Sequence, residues 1–149
     1  AFQLLQGVET LALRMERHCA NAAAVAKHLA GRAGVTRVIH PSQQSGEAQA
    51  RAERYLKGGQ GGLLGFELAG GVEAGRRFID ALKLFYHVAN IGDARSLAIH
   101  PASTTHSQLS PEEQAATGVS PGYVRLSIGI EHIDDILADL EQALTAAGA

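Results

Sequence analysis

An arginine stands in the middle of a strand-like run near the end of the chain, Tyr-Val-Arg-Leu-Ser-Ile-Gly-Ile-Glu at 123–131. Val124, Leu126, Ile128 and Ile130 alternate with Tyr123, Arg125, Ser127 and Gly129, so the strand has an apolar face and a face carrying one charge among small neighbours. A guanidinium on a rigid strand, with room around it, suits bidentate capture of a planar carboxylate. The same pattern also fits a strand arginine paired with a nearby acid on a solvated face. Upstream, His100 and His106 flank Pro-Ala-Ser-Thr-Thr, a spacing that suits no metal set, and ordering of this loop by its hydroxyls and Pro101 is the plainer reading. A triad from Ser103, His106 and Glu112 lacks a nucleophile-elbow motif. The glycine clusters at 58–62 and 70–71 match neither a dinucleotide fingerprint nor a Walker motif and read as connections.

These residues need a scaffold. Leu4, Val8, Leu11, Met15, Cys19, Ala22, Val25 and Leu29 recur at steps of three and four, which predicts one helix over 1–30. At 1.5 Å per residue it is roughly 40 Å long, a length that suits a spine joining this domain to another. Strands are expected at 35–40, 63–68, 86–91 and 123–130, with a short one at 97–99, and helices at 49–56, 72–84 and 133–146. Residues 101–122 read as loop with one helical turn near 111. The pattern predicts one α+β domain over 1–149: a helix at 1–30, then an α/β sandwich over 31–149. Its sheet has about four mostly antiparallel strands, with helices on one face and the other face free to meet something.

Composition narrows the function classes. The 149 residues are 46% hydrophobic with a net charge of −2 and no basic block, which argues against nucleic acid as a partner. No apolar run is long enough for a membrane span, and no signal-peptide pattern opens the chain. The first residue is not Met and the helical pattern has already begun, as expected of a domain cut from a longer protein. The single cysteine, Cys19, falls in the helical stripe and reads as a small core residue. A reducing cytoplasm is the expected location.

Three segments together carry a resemblance: Asn-Ile-Gly-Asp-Ala-Arg-Ser-Leu at 90–97, Ile-His-Pro-Ala-Ser-Thr-Thr-His-Ser-Gln-Leu at 99–109, and the Arg125 strand. They resemble the C-terminal domain of the Cys/Met-metabolism enzymes that depend on pyridoxal 5'-phosphate (PLP), and the likeness extends over essentially the whole chain. Within that family the Asn-Ile-Gly-Asp version is typical of sulfhydrylases acting on O-acetylhomoserine. Cystathionine-processing members commonly carry Ser-Leu-Gly-Gly followed by Glu-Ser-Leu.

The resemblance implies the small domain of the aspartate aminotransferase-like fold. It implies that Arg125 grips the substrate's α-carboxylate, that Asn90 shares the grip with Ile91 beside it, and that the Thr105 hydroxyl faces the active site. The parent enzyme would make homocysteine (or methionine) from O-acetylhomoserine and sulfide (or methanethiol), as a homotetramer whose dimers share active sites. Cystathionine γ-synthase and methionine γ-lyase types are the neighbouring possibilities, and a non-catalytic small-molecule-binding module or a dimerisation domain the more distant ones. Lys27, Lys57 and Lys83 lie outside the family's Ser-x-Thr-Lys context. The expectation is that a large domain absent from this chain binds the cofactor, and that the chain alone is inactive.

Overall fold

A computed structural model describes residues 1–149. Helices α1 (Phe2–Glu9) and α2 (Leu11–Ala30) lead into strand β1 (Val35–Ile39), a short 3-10 turn at Pro41–Gln43 and helix α3 (Gly46–Tyr55). Strand β2 (Leu63–Leu68), helix α4 (Gly71–Ala81) and strands β3 (Tyr86–His87) and β4 (Leu97–Ile99) follow. Helix α5 (Pro111–Ala116), strand β5 (Tyr123–Ser127) and helix α6 (Ile133–Ala147) complete the chain. The five strands form one sheet in the order β1-β2-β5-β4-β3, antiparallel except for the β3–β4 pair. The α+β class and mostly antiparallel sheet are as expected, with one strand more.

One face of the sheet holds the core. Phe66, Val124 and Leu126 point into it and meet Val25 and Leu29 of α2, Phe78 of α4, and Ile136, Leu140 and Leu144 of α6. The Phe66 and Phe78 rings pack edge to face at 5.2 Å. Helix α6 starts on two acids, Asp134 and Asp135, beside its N-terminal dipole, and ends on Gly148 in the left-handed conformation.

Four expectations are corrected. The leading helix is two helices, broken at Thr10, where the Arg14 guanidinium takes the Thr10 hydroxyl and the Gly7 carbonyl. Strand β3 stops at His87, because Val88 donates its amide to Ala98 and the chain then leaves the ladder. Strand β5 stops at Ser127. There Ile128 turns its amide to Gly62 and Ile130 turns its amide to Ala94, leaving Ile128 buried and Ile130 37% exposed. Cys19 is only half-buried, against Gly59, rather than in the core.

The apolar stripe of α1 and early α2 has no cover. Phe2, Leu4, Leu5, Val8 and Leu13 are each at least 63% exposed. The isolated chain is therefore expected to self-associate through this stripe. Light scattering should give a mass above the monomer's that falls to it on Leu4→Glu/Leu5→Glu; a monodisperse wild-type monomer at high concentration would refute this. No helix is long and apolar enough to cross a membrane.

Candidate carboxylate-binding site

Arg125 lies on the sheet face opposite the core. Register places Ile39, Gly65, Arg125 and Ile99 in one row across β1, β2, β5 and β4. That face is not free, as the alternation had suggested: α3 covers part of it. Between helix and sheet lies a pocket of about 590 Å³, with Ile39, His40, Leu63, Gly65, Tyr123 and Arg125 on the sheet side and Arg51 on the helix side.

Gly65 is the neighbour that sequence reasoning missed. A Cβ there would overlap the Tyr123 ring, 2.6 Å from its hydroxyl oxygen, so only glycine leaves room for the tyrosine to cross β2 at this point. Of the small neighbours expected on the strand, Ser127 ends β5 and Gly129 lies just past it, and both are buried. Burial pushes the Tyr123 hydroxyl above its ordinary pKa; Arg125 opposes that shift and Glu67 adds to it.

Arg125 has no carboxylate within ion-pair distance. The acid nearest in register, Glu67, pairs instead with Arg37 at 3.6 Å. The hydrogen bond recorded for the guanidinium runs from Nη2 to the Asn90 backbone carbonyl at 3.3 Å. Within residues 1–149 the guanidinium therefore has a neutral carbonyl for a partner and no acid.

Asn90 is therefore brought to Arg125, but from a loop and by its main chain. Its side-chain Oδ1 accepts the Ile91 amide at 2.9 Å, and its Nδ2 makes no hydrogen bond. Ile91 beside it is 56% exposed. Thr105 is not brought to the pair: its hydroxyl meets His106 Nδ1 at 2.9 Å and makes no hydrogen bond to Arg125 or Asn90.

The 100–109 loop is ordered from beneath by His100, which is fully buried. Its Nε2 donates to the Pro121 carbonyl at 2.8 Å, and its Nδ1 meets the Ser103 hydroxyl at 2.8 Å. Gln114 adds bonds to the carbonyls of Ala102, His106 and Leu109. Both nitrogens of His100 are thus committed to structure.

Burial lowers the pKa of His100 and of His40, the latter also inside the sheet's second face. A base with a folded pKa below its unfolded value of about 6.5 binds more protons when unfolded, so its stabilising contribution is complete above that value and falls away in acid. Urea unfolding should give lower stability at pH 5 than at pH 7.5, and His100→Gln should flatten part of the difference. An unchanged slope in that variant would show that His100 does not contribute.

Residues 1–145 match the family of Cys/Met metabolism PLP-dependent enzymes. The chain belongs to that family. It is 56% identical to the O-acetyl-L-homoserine sulfhydrylase of Leptospira meyeri over 97% of its length, covering 33% of that enzyme. With O-acetyl-L-homoserine sulfhydrylase 1 of Thermus thermophilus the identity is 54%, over 97% of the chain and 34% of the relative. The L-methionine gamma-lyase of Pseudomonas putida is 50% identical over 97% of the chain and 36% of the relative.

Among solved structures, a candidate O-acetylhomoserine (thiol)-lyase from Campylobacter jejuni, holding a pyridoxyl-lysine monophosphate, superposes with a TM-score of 0.85 at 45% identity. The match covers 95% of this chain and 34% of that one. The chain thus spans about a third of the length of these relatives.

Its own residues do not fit the family's cofactor. Lys27, Lys57 and Lys83 are all exposed, on the surface of α2, just past α3 and in the turn after α4. A Schiff-base lysine works from a shielded pocket, and all three of these side chains stand in solvent.

Proposed function

We propose that this chain is the C-terminal substrate-binding domain of a PLP-dependent γ-replacement enzyme that makes homocysteine from O-acetylhomoserine and sulfide. What carries the reading is Arg125: half-buried on a rigid strand, free of any acid, and turned by the Asn90 carbonyl. In this reading the guanidinium neutralises the substrate's α-carboxylate. The Asn90 carbonyl holds the fork in one rotation, the free Asn90 Nδ2 and Ile91 shape the rim, and Thr105 faces the site once the remainder of the enzyme is in place. Fixing the carboxylate fixes the direction of the Cα–H bond, which is the contribution a binding domain makes to the chemistry.

The cofactor, which supplies the electron sink when bound, is held by protein outside residues 1–149. The parent is then a cytoplasmic homo-oligomer whose active site needs its own large domain. A second reading, elimination from methionine, is favoured by the 50% identity to a methionine γ-lyase.

Two experiments test this. Full-length enzyme given O-acetylhomoserine and sulfide should release homocysteine and acetate; methanethiol from methionine as the main product would favour the second reading. Borohydride reduction of the chain alone with PLP should label no lysine stoichiometrically. Saturable labelling of Lys27, Lys57 or Lys83 would mean that the chain holds its own cofactor and that the account of a partial site is wrong.

A further inference from the structure

The loop that carries Asn90 is fastened to the end of β5 at successive points. Gly92 donates its amide to Ser127 Oγ at 3.2 Å, and Ile130 donates its amide to the Ala94 carbonyl at 2.9 Å. At the base of the loop, Ser96 gives its amide to Glu131 Oε1 at 2.6 Å and its hydroxyl to Oε2 at 3.0 Å. The same hydroxyl accepts the Gly129 amide at 2.9 Å. Ser96 is wholly buried. The approach is so close that a methyl group on Gly129 would sit 2.5 Å from both the Ala94 carbonyl oxygen and the Ser96 nitrogen.

Glu131 is itself pinned. Its backbone carbonyl accepts Asn21 Nδ2 of α2 at 3.0 Å. No cation lies within ion-pair distance of its carboxylate, whose two oxygens are both spent on Ser96. A charged acceptor on two neutral donors makes strong, directional bonds. Those bonds act at one place, the root of the loop whose tip sets the Arg125 guanidinium.

We propose that Glu131 is a positioning residue for the carboxylate site: through Ser96 it holds the 90–96 loop so that the Asn90 carbonyl fixes the rotation of Arg125. This rests on the reading of Arg125 as the carboxylate ligand. Loss of the latch lets the loop lift, and the guanidinium loses its single orientation while keeping its charge.

The test uses full-length holoenzyme, titrated with an amino-acid substrate and with its α-amide, which lacks the carboxylate. Half-saturation is read from the change in bound-cofactor absorbance. Glu131→Ala is expected to raise half-saturation for the acid about tenfold, leave the amide's unchanged, and change kcat less than threefold. Hydrogen exchange of the peptide spanning 90–96 should quicken. Glu131→Gln, which keeps one acceptor, should fall between wild type and alanine and covers the case in which the alanine variant does not fold.

Asp139→Asn is the control, a buried acid that holds the 83–85 turn instead; it should lower stability without altering discrimination between acid and amide. Equal shifts for acid and amide in the Glu131 variants, or none, would overturn the proposal. If Arg125→Ala leaves the discrimination intact, the carboxylate reading itself has failed. If Arg125→Ala abolishes it and Glu131→Ala does not, only the latch has failed.

Discussion

Changing Arg125 to alanine in the full-length enzyme is expected to lower kcat/KM for the amino-acid substrate by roughly three orders of magnitude. Removing one member of a desolvated, hydrogen-bonded ion pair costs about 3–5 kcal/mol, because the remaining charge is left unpaired. Each 1.4 kcal/mol is about a factor of ten. Arg125→Lys keeps the charge but loses the planar fork that reaches two carboxylate oxygens at once, so a loss of about 10- to 100-fold is expected. Folding should be little affected, since in this chain Arg125 gives up one 3.3 Å hydrogen bond and no ion pair. Steady-state kinetics with thermal unfolding as a control checks both halves of the statement. A fall of less than tenfold in a folded Arg125→Ala enzyme would rule out the carboxylate contact.

The second large effect concerns stability. Asp139 on α6 is only 7% exposed, and its carboxylate accepts the amides of Lys83, Leu84 and Phe85 and the side chain of Gln142. It acts as a cap for the turn between α4 and β3, where three consecutive N–H groups, that of Phe85 in the buried part, would otherwise lose their protein partner. Each orphaned buried donor costs about 1–3 kcal/mol. Asp139→Ala should therefore destabilise the domain by about 3 kcal/mol, which at this size lowers the melting temperature by roughly 10 °C. A fall of only a degree or two would mean that water satisfies the three amides as well as the carboxylate does.

What was legible in the sequence follows from how local the signal is. Strand β5 declared itself because a period of two with one apolar face has no other reading, and Val124 and Leu126 are indeed in the core with Arg125 behind them. Helix α6 was equally plain, since Ile136, Leu140 and Leu144 recur at helical spacing and all three are fully buried. The Pro-Glu-Glu-Gln run at 111 likewise marked a helical turn, which the structure starts with a capping box of Ser110 and Glu113.

The rest depends on contacts between residues distant in sequence. Gly65 matters because β2 lies beside β5 and Tyr123 crosses it, a fact of register that no window around Gly65 contains. Asp139 carries no local signal of its role on α6, because the backbone amides it accepts are more than fifty residues away. The run Val88–Ile91 was over-read as strand because its β-branched residues have the right propensity, while the ladder offers only one more bond beyond His87. That error bears on the site, since Asn90 meets Arg125 from a loop that must be held in place rather than from a strand. His18 and Asn21 on α2 are anchors that bind the carbonyls of Ile128 and Gly129, more than a hundred residues away.

The most direct measurement is a crystal structure of the full-length enzyme with an amino-acid substrate or unreactive analogue bound. Both carboxylate oxygens are expected on the Arg125 guanidinium at about 2.7–2.9 Å, with Asn90 alongside and the cofactor attached to a lysine outside residues 1–149. A carboxylate bound elsewhere, with Arg125 facing solvent or paired to an acid of the large domain, would contradict it.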